Sequence, residues 1–153
     1  MSKFIYFPSF SAGAMGSSLA KNVKLKNDLS IRFYSDEFPE KYRHTDILIT
    51  AGHHFKKDDY KNDLGLTDKN LVMGDSGGYQ IASGAIKWDM SIRERIFNWL
   101  EHNSDIAMNL DIPPKIKYEG MYEECLKISK DNFKYFADNQ SGNTDFLNVV
   151  QGT

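Results

Sequence analysis

Four short apolar runs constrain this chain more than any other feature. They are Asp46–Thr50, Asn70–Met73, Asp105–Leu110 and Phe146–Val150. Each is about as long as a strand, and none alternates apolar with polar residues. Near-continuous apolarity suits strands covered on both faces, as in a parallel sheet. Helical patterns separate the later runs. Ser91-Ile92-Arg93-Glu94 has the spacing of a capping box, and Ile92, Ile96, Trp99 and Leu100 follow on one helical face. A second helix is expected from Met121 to about Asp138, with Tyr122, Cys125, Leu126, Ser129, Phe133 and Phe136 as its apolar stripe. Both stripes read as core. Strand, helix, strand, helix, strand is the grammar of a parallel α/β fold.

Residues 1–45 form a less legible N-terminal segment, and 46–153 carry the strands and helices, within one domain spanning 1–153. In the first segment a short strand is expected at Phe4–Phe7 and a Gly/Ser/Ala-rich turn near Ala12–Ser18. Hydrophobic residues make up 41% of the chain, enough for a real core. No run approaches the roughly 20 apolar residues of a membrane span. The N-terminal apolar run is interrupted by Pro8, so no signal peptide is read and a cytoplasmic location is expected. Cys125 is the only cysteine, which excludes an intrachain disulfide and a cysteine-rich zinc site and predicts a buried thiol. A net charge of -2 argues against a strongly basic nucleic-acid-binding domain but leaves room for a local basic patch.

Polar residues gather behind every run. The first ends in Thr50-Ala51-Gly52-His53-His54, and the second in Gly74-Asp75-Ser76-Gly77-Gly78-Tyr79-Gln80. The third ends in Asp111-Ile112-Pro113-Pro114, and the fourth in Gln151-Gly152. Such a pattern places a site at the carboxyl ends of strands, in either a (β/α) barrel or a doubly wound sheet. In Asp75-Ser76-Gly77-Gly78, the glycines allow a sharp turn and close backbone approach to a flat ligand. The aspartate can accept paired hydrogen bonds from a donor edge such as guanine's, and Tyr79 can offer an aromatic face. The plainer alternative is a tight left-handed turn with a solvated Asp and Ser.

Gly74–Gly78 also matches the nucleophile loop of chymotrypsin-like proteases, and Leu48–His53 is similar to their histidine segment. Only 22 residues lie between His53 and Ser76, too few to build the scaffold that a Ser-His-Asp triad needs. The disulfide partners of that family are absent as well.

Taken in order, the same residues resemble the tRNA-guanine transglycosylases. That family carries Asp-Ser-Gly-Gly-Phe-Gln after a barrel strand, here Asp75-Ser76-Gly77-Gly78-Tyr79-Gln80. Ala51–Phe55 is loosely similar to its Asn-x-Tyr-His-Leu segment. Leu110–Pro114 matches its strand-ending aspartate, in a form closer to archaeal-type and DNA-acting relatives. Val149-Val150-Gln151-Gly152 matches its Val-Gln-Gly-Gly. The resemblance covers roughly residues 45–153 and implies the N-terminal half of an incomplete (β/α)8 TIM barrel. It implies Asp75 as a catalytic residue that binds the purine edge and takes part in proton transfer. Ser76, Gly77 and Gly78 would form the loop against the base, and Tyr79 would stack on it. Asp111 would hold the donor edge of an incoming 7-deazaguanine, with Gln151 and Gly152 completing the substrate site. His53 and His54 are read as structural or hydrogen-bonding, and His44 and His102 as solvated.

The implied reaction replaces guanine in tRNA or DNA with a 7-deazaguanine base. The family's aspartate nucleophile lies on a later strand, and its zinc site, three cysteines and a histidine, is later again. Neither has a counterpart here, so no metal or cofactor is expected in this chain. A barrel needs eight strands and typically about 250 residues, and this chain supplies about four strands. A half-barrel exposes strand edges and an apolar face. The expectation is therefore a transferase half completed by a C-terminal-half partner or by homodimerisation. The alternative is a non-catalytic 7-deazaguanine-binding or regulatory subunit.

Overall fold

The computed structural model describes residues 5–9, 14–114 and 121–149. Its centre is a four-stranded sheet of β1 (Ile47–Thr50), β2 (Val72–Asp75), β3 (Ile106–Met108) and β4 (Asp145–Leu147). All three pairings are parallel, and the strands lie side by side in chain order. A doubly wound sheet reverses its order at a switch point. These four strands do not. The mixed α/β class and the parallel sheet follow the sequence reading.

Around the sheet lie α1 (Ala14–Ala20), α2 (Ala51–His54), α3 (Tyr60–Asp63), α4 (Gly78–Ala82), α5 (Met90–Asn103) and α6 (Met121–Asn139). None of the described helices is long and apolar enough to cross a membrane. Period-2 alternation sends neighbouring side chains to opposite faces of a sheet. Ile49, Gly74, Ala107 and Phe146 share one face by register. On that face Ile49 and Ala107 are sealed. A Cβ on Gly74 would lie 2.6 Å from the Leu100 side chain, so α5 packs directly on the sheet there. Phe97 of α5, Phe136 of α6 and Phe146 of β4 form an aromatic cluster with centroids 5.0–5.7 Å apart. Such edge and offset packing adds to simple burial.

The opposite face is apolar too, yet less covered. Leu48, Met73, Ile106 and Met108 are half-buried there, and Leu147 is exposed. The expectation of strands covered on both faces is thus corrected: among the described residues, only one face is sealed by helices. Apolarity of a strand reports which faces avoid water in the finished fold, and the chain described covers one of them.

Several local expectations also change. The turn near Ala12–Ser18 is, from Ala14 onward, helix α1, whose Leu19 is fully buried. Alanine, methionine and leucine are strong helix formers, and they outweigh the flexible Gly and Ser. Within Phe4–Phe7, Phe4 lies outside the described residues and Ile5–Phe7 form no strand. Pairing occurs further on, where Ser9 bridges Leu48 in parallel and the Leu48 N–H donates to the Pro8 carbonyl at 3.0 Å. The N-cap of α5 is Asp89 rather than Ser91. Its carboxylate accepts from the Ile92 N–H at 2.9 Å and from the Ser91 hydroxyl at 2.7 Å. On α6, Phe133 points outward, and the buried stripe runs through Cys125, Asn132 and Phe136. Asn132 holds its place by donating to the Leu110 carbonyl at 3.0 Å, a bond that apolar counting overlooks. Burial raises the pKa of the Cys125 thiol, in keeping with an unreactive core cysteine. His44 is not simply solvated: its ring nitrogen hydrogen-bonds the Tyr6 carbonyl.

Candidate active site

The loops that leave β1, β2 and β3 interlock through glycines. Gly77 adopts φ +83°, a left-handed conformation that costs other residues strain. A Cβ there would fall 2.4 Å from the Cα of Gly52, in helix α2 directly after β1. A Cβ on Gly78 would fall 1.7 Å from the carbonyl oxygen of Asp111, beyond β3. No side chain fits either gap. The sequence Gly77-Gly78 therefore serves to let three strand tops touch.

This contact brings two carboxylates to one place. Asp75, at the end of β2, accepts from the Gly77 N–H at 3.1 Å through Oδ1. The carboxylate of Asp111 lies 3.5 Å from the position a Gly78 Cβ would take. Asp75 and Asp111 thus flank the same glycine pair, both partly accessible. The glycine pair between them is itself buried, so the two partly accessible carboxylates are the acceptors that can receive the N–H groups of a planar heterocycle.

Ser76 is buried, and its hydroxyl donates to the Asn109 carbonyl at 3.2 Å, tying the β2 loop to β3. Among the described residues no hydrogen bond joins Ser76 to a histidine. That geometry leaves no serine-protease relay. Tyr79 stands out from the first turn of α4, 72% exposed, as an open aromatic face rather than a wall. Gln151 and Gly152 lie outside the described residues.

Residues beyond the expected set also belong to this region. Gly52 is needed for the Gly77 contact. Gln80 places its side-chain amide 3.1 Å from His53 Nε2, within hydrogen-bonding distance. Asn109 is buried, bonds Asn148 at 3.4 Å, and leaves its Oδ1 without a partner among the described residues. A polar residue inside an apolar run was the available signal for Asn109. His54 is half-buried and stacks on Tyr60 with ring centroids 4.0 Å apart. Burial, with the neighbouring His53 and Lys57, pushes its pKa down to about 4, so it is neutral at physiological pH.

A cavity of about 570 Å³ opens beside the rim, with Gly52, His53 and Gln80 in its wall. Among the described residues, no three His, Cys, Asp or Glu side chains converge as a metal ion would require. No family model matches this chain, and no curated protein matches it significantly.

Proposed function

We propose that this chain binds a guanine-type base at the strand tops and contributes that site to a base-exchange transferase of the tRNA-guanine transglycosylase type. The observation that carries the reading is that Asp75 and Asp111 both lie beside the Gly77-Gly78 pair, Asp75 bonded to Gly77 and the Asp111 carboxylate next to Gly78. A guanine edge offers a ring N–H and an exocyclic amine, and buried donors demand acceptors. The sequential parallel sheet supports the finer fold reading, the first four strands of a (β/α)8 barrel. In such a barrel the face holding Leu48, Met73 and Met108 is the interior, and Asp75 shares that face through its pairing with Thr50.

In the exchange, a carboxylate attacks the ribose anomeric carbon as the glycosidic bond breaks and guanine departs with a proton. A 7-deazaguanine nitrogen then attacks the same carbon, loses its proton, and releases the carboxylate. Asp75 exchanges the proton with the base, while Asp111 holds the donor edge of the incoming one. The attacking carboxylate comes from a complementary half that also covers the open face. The nucleic acid is tRNA or DNA, and a base inside a duplex would first be flipped out.

Calorimetric titration with 7-cyano-7-deazaguanine tests the site. One-to-one binding is expected, lost in Asp75→Ala and Asp111→Ala with the circular dichroism spectrum unchanged. Binding by neither the native chain nor its variants would overturn the reading. Supplying a complementary half and following radiolabelled guanine release separates exchange from binding alone.

A further inference from the structure

Beside the rim, the structure carries a second feature that the base site does not use. The 570 Å³ cavity is walled by Lys56, Lys87 and Arg95 together with His53 and Gln80. None of these three cations forms a salt bridge within 4.0 Å among the described residues, whereas Lys24, Arg43, Lys57, Lys61 and Lys69 all do. Asp89 shares the wall as a carboxylate, held by the Ile92 N–H and the Ser91 hydroxyl at the start of α5 and close enough to Lys87 to feel its charge. A second cavity, of about 300 Å³, adjoins the first through Phe55 and Arg95 and continues to Asn98 and His102, with Asp58 on its edge. The Arg95 guanidinium lies 5.2 Å from the Phe55 ring centroid, which holds the charge at the saddle between the two.

We infer that these two cavities form one groove that holds the sugar-phosphate backbone of a single nucleic-acid strand leading to the strand-top site. The inference rests on the base-site reading for what the strand is doing there. Three cations in the lining of one open trough, with Arg95 shared by the cavity beyond it, suit a ligand whose charge repeats along its length. Against Asp58 and Asp89 the three cations leave a small positive surplus, on a chain whose overall charge is -2, and it is placed to draw a polyanion to this side of the molecule. Gln80 and His53 sit where the groove meets the rim, so the strand would arrive beside Asp75.

Fluorescence anisotropy with a labelled single strand of about 12 nucleotides, in DNA and RNA forms, measures this directly over a salt titration. The triple variant K56E/K87E/R95E is expected to weaken binding by at least about tenfold. The corresponding triple alanine variant should flatten the slope of log affinity against log salt by about 2. Two controls separate the claims. Asp75→Ala should abolish base binding yet keep the salt slope of strand binding, and Lys69→Ala, on a cation paired with Asp36 elsewhere, should change neither. Equal losses from Lys69→Ala and the groove variants, or wild-type affinity and slope in the triple variants, would overturn the groove. Loss of 7-cyano-7-deazaguanine binding in the native chain, with strand binding intact, would instead sink the base site alone.

Discussion

On one face of the sheet, Ile49, Gly74 and Ala107 lie sealed beneath α5 and its neighbours; on the other, Leu48, Met73 and Met108 remain partly open. The composition of the two faces is similar, and their surroundings differ. Burial against helices makes the first face the source of most of the fold's stability, because apolar area removed from water contributes about 25 cal/mol per Å². The second face has collected less of that energy and carries Asp75 at its upper end. A rigid, sealed side can hold geometry while the open side meets ligands and further protein. The proposed site lies at the upper end of the open face, where the tightly packed glycine contacts of Gly77 and Gly78 and the helix-covered side behind them fix its geometry.

Substitutions can test how unequal the faces are. The largest effect is expected from Phe136→Ala, which empties the aromatic cluster on the sealed side. Chemical denaturation should show a loss of about 4 kcal/mol. Gly78→Ala comes next, because its methyl meets the Asp111 carbonyl. A loss of about 3 kcal/mol is expected, with base affinity falling as the loops separate. Gly142→Ala provides the contrast: its φ is +87° but nothing lies within 4 Å, so only backbone strain of about 1 kcal/mol should appear.

The pH dependence of stability probes the buried histidine. The folded-state pKa of His54, about 4, lies below its unfolded value near 6.5. Its contribution is therefore complete above about pH 6.5 and is lost as pH falls toward 4, by on the order of 2 kcal/mol. His54→Phe, which keeps a ring against Tyr60, should remove that component from denaturation curves measured across this range. The smallest effect is expected from Met73→Ala on the open face, about 1 kcal/mol or less in the isolated chain. A loss there as large as that of Phe136→Ala would mean that the two faces are equally covered, and would break the comparison.

The four strands were legible in the sequence because apolar runs as dense as Asp46–Thr50 have few other uses. Their edges were less so: β2 extends to Asp75 because Asp75 pairs with Thr50 of β1, a contact no local pattern contains. The cap of α5 was misplaced by two residues because Asp89 and Ser91 both carry capping chemistry, and only the backbone path decides between them. Asp75, Ser76, Gly77, Gly78 and Asp111 could be singled out as residue types at strand ends. That Gly52 and Gly77 must touch could not, since it depends on how helix α2 meets the turn that caps α4. Asn132 was hidden for a similar reason: its value lies in one bond to Leu110, which polarity alone does not announce.

The central claim is that the strand-top loops receive a purine-like base between Asp75 and Asp111. Amide chemical-shift mapping during titration with 7-cyano-7-deazaguanine tests it most directly. The shifts are expected to concentrate on the amides of Ser76, Gly77, Gly78 and Asp111, and to vanish in Asp75→Ala. Shifts confined to another surface, or none at saturating base, would contradict it.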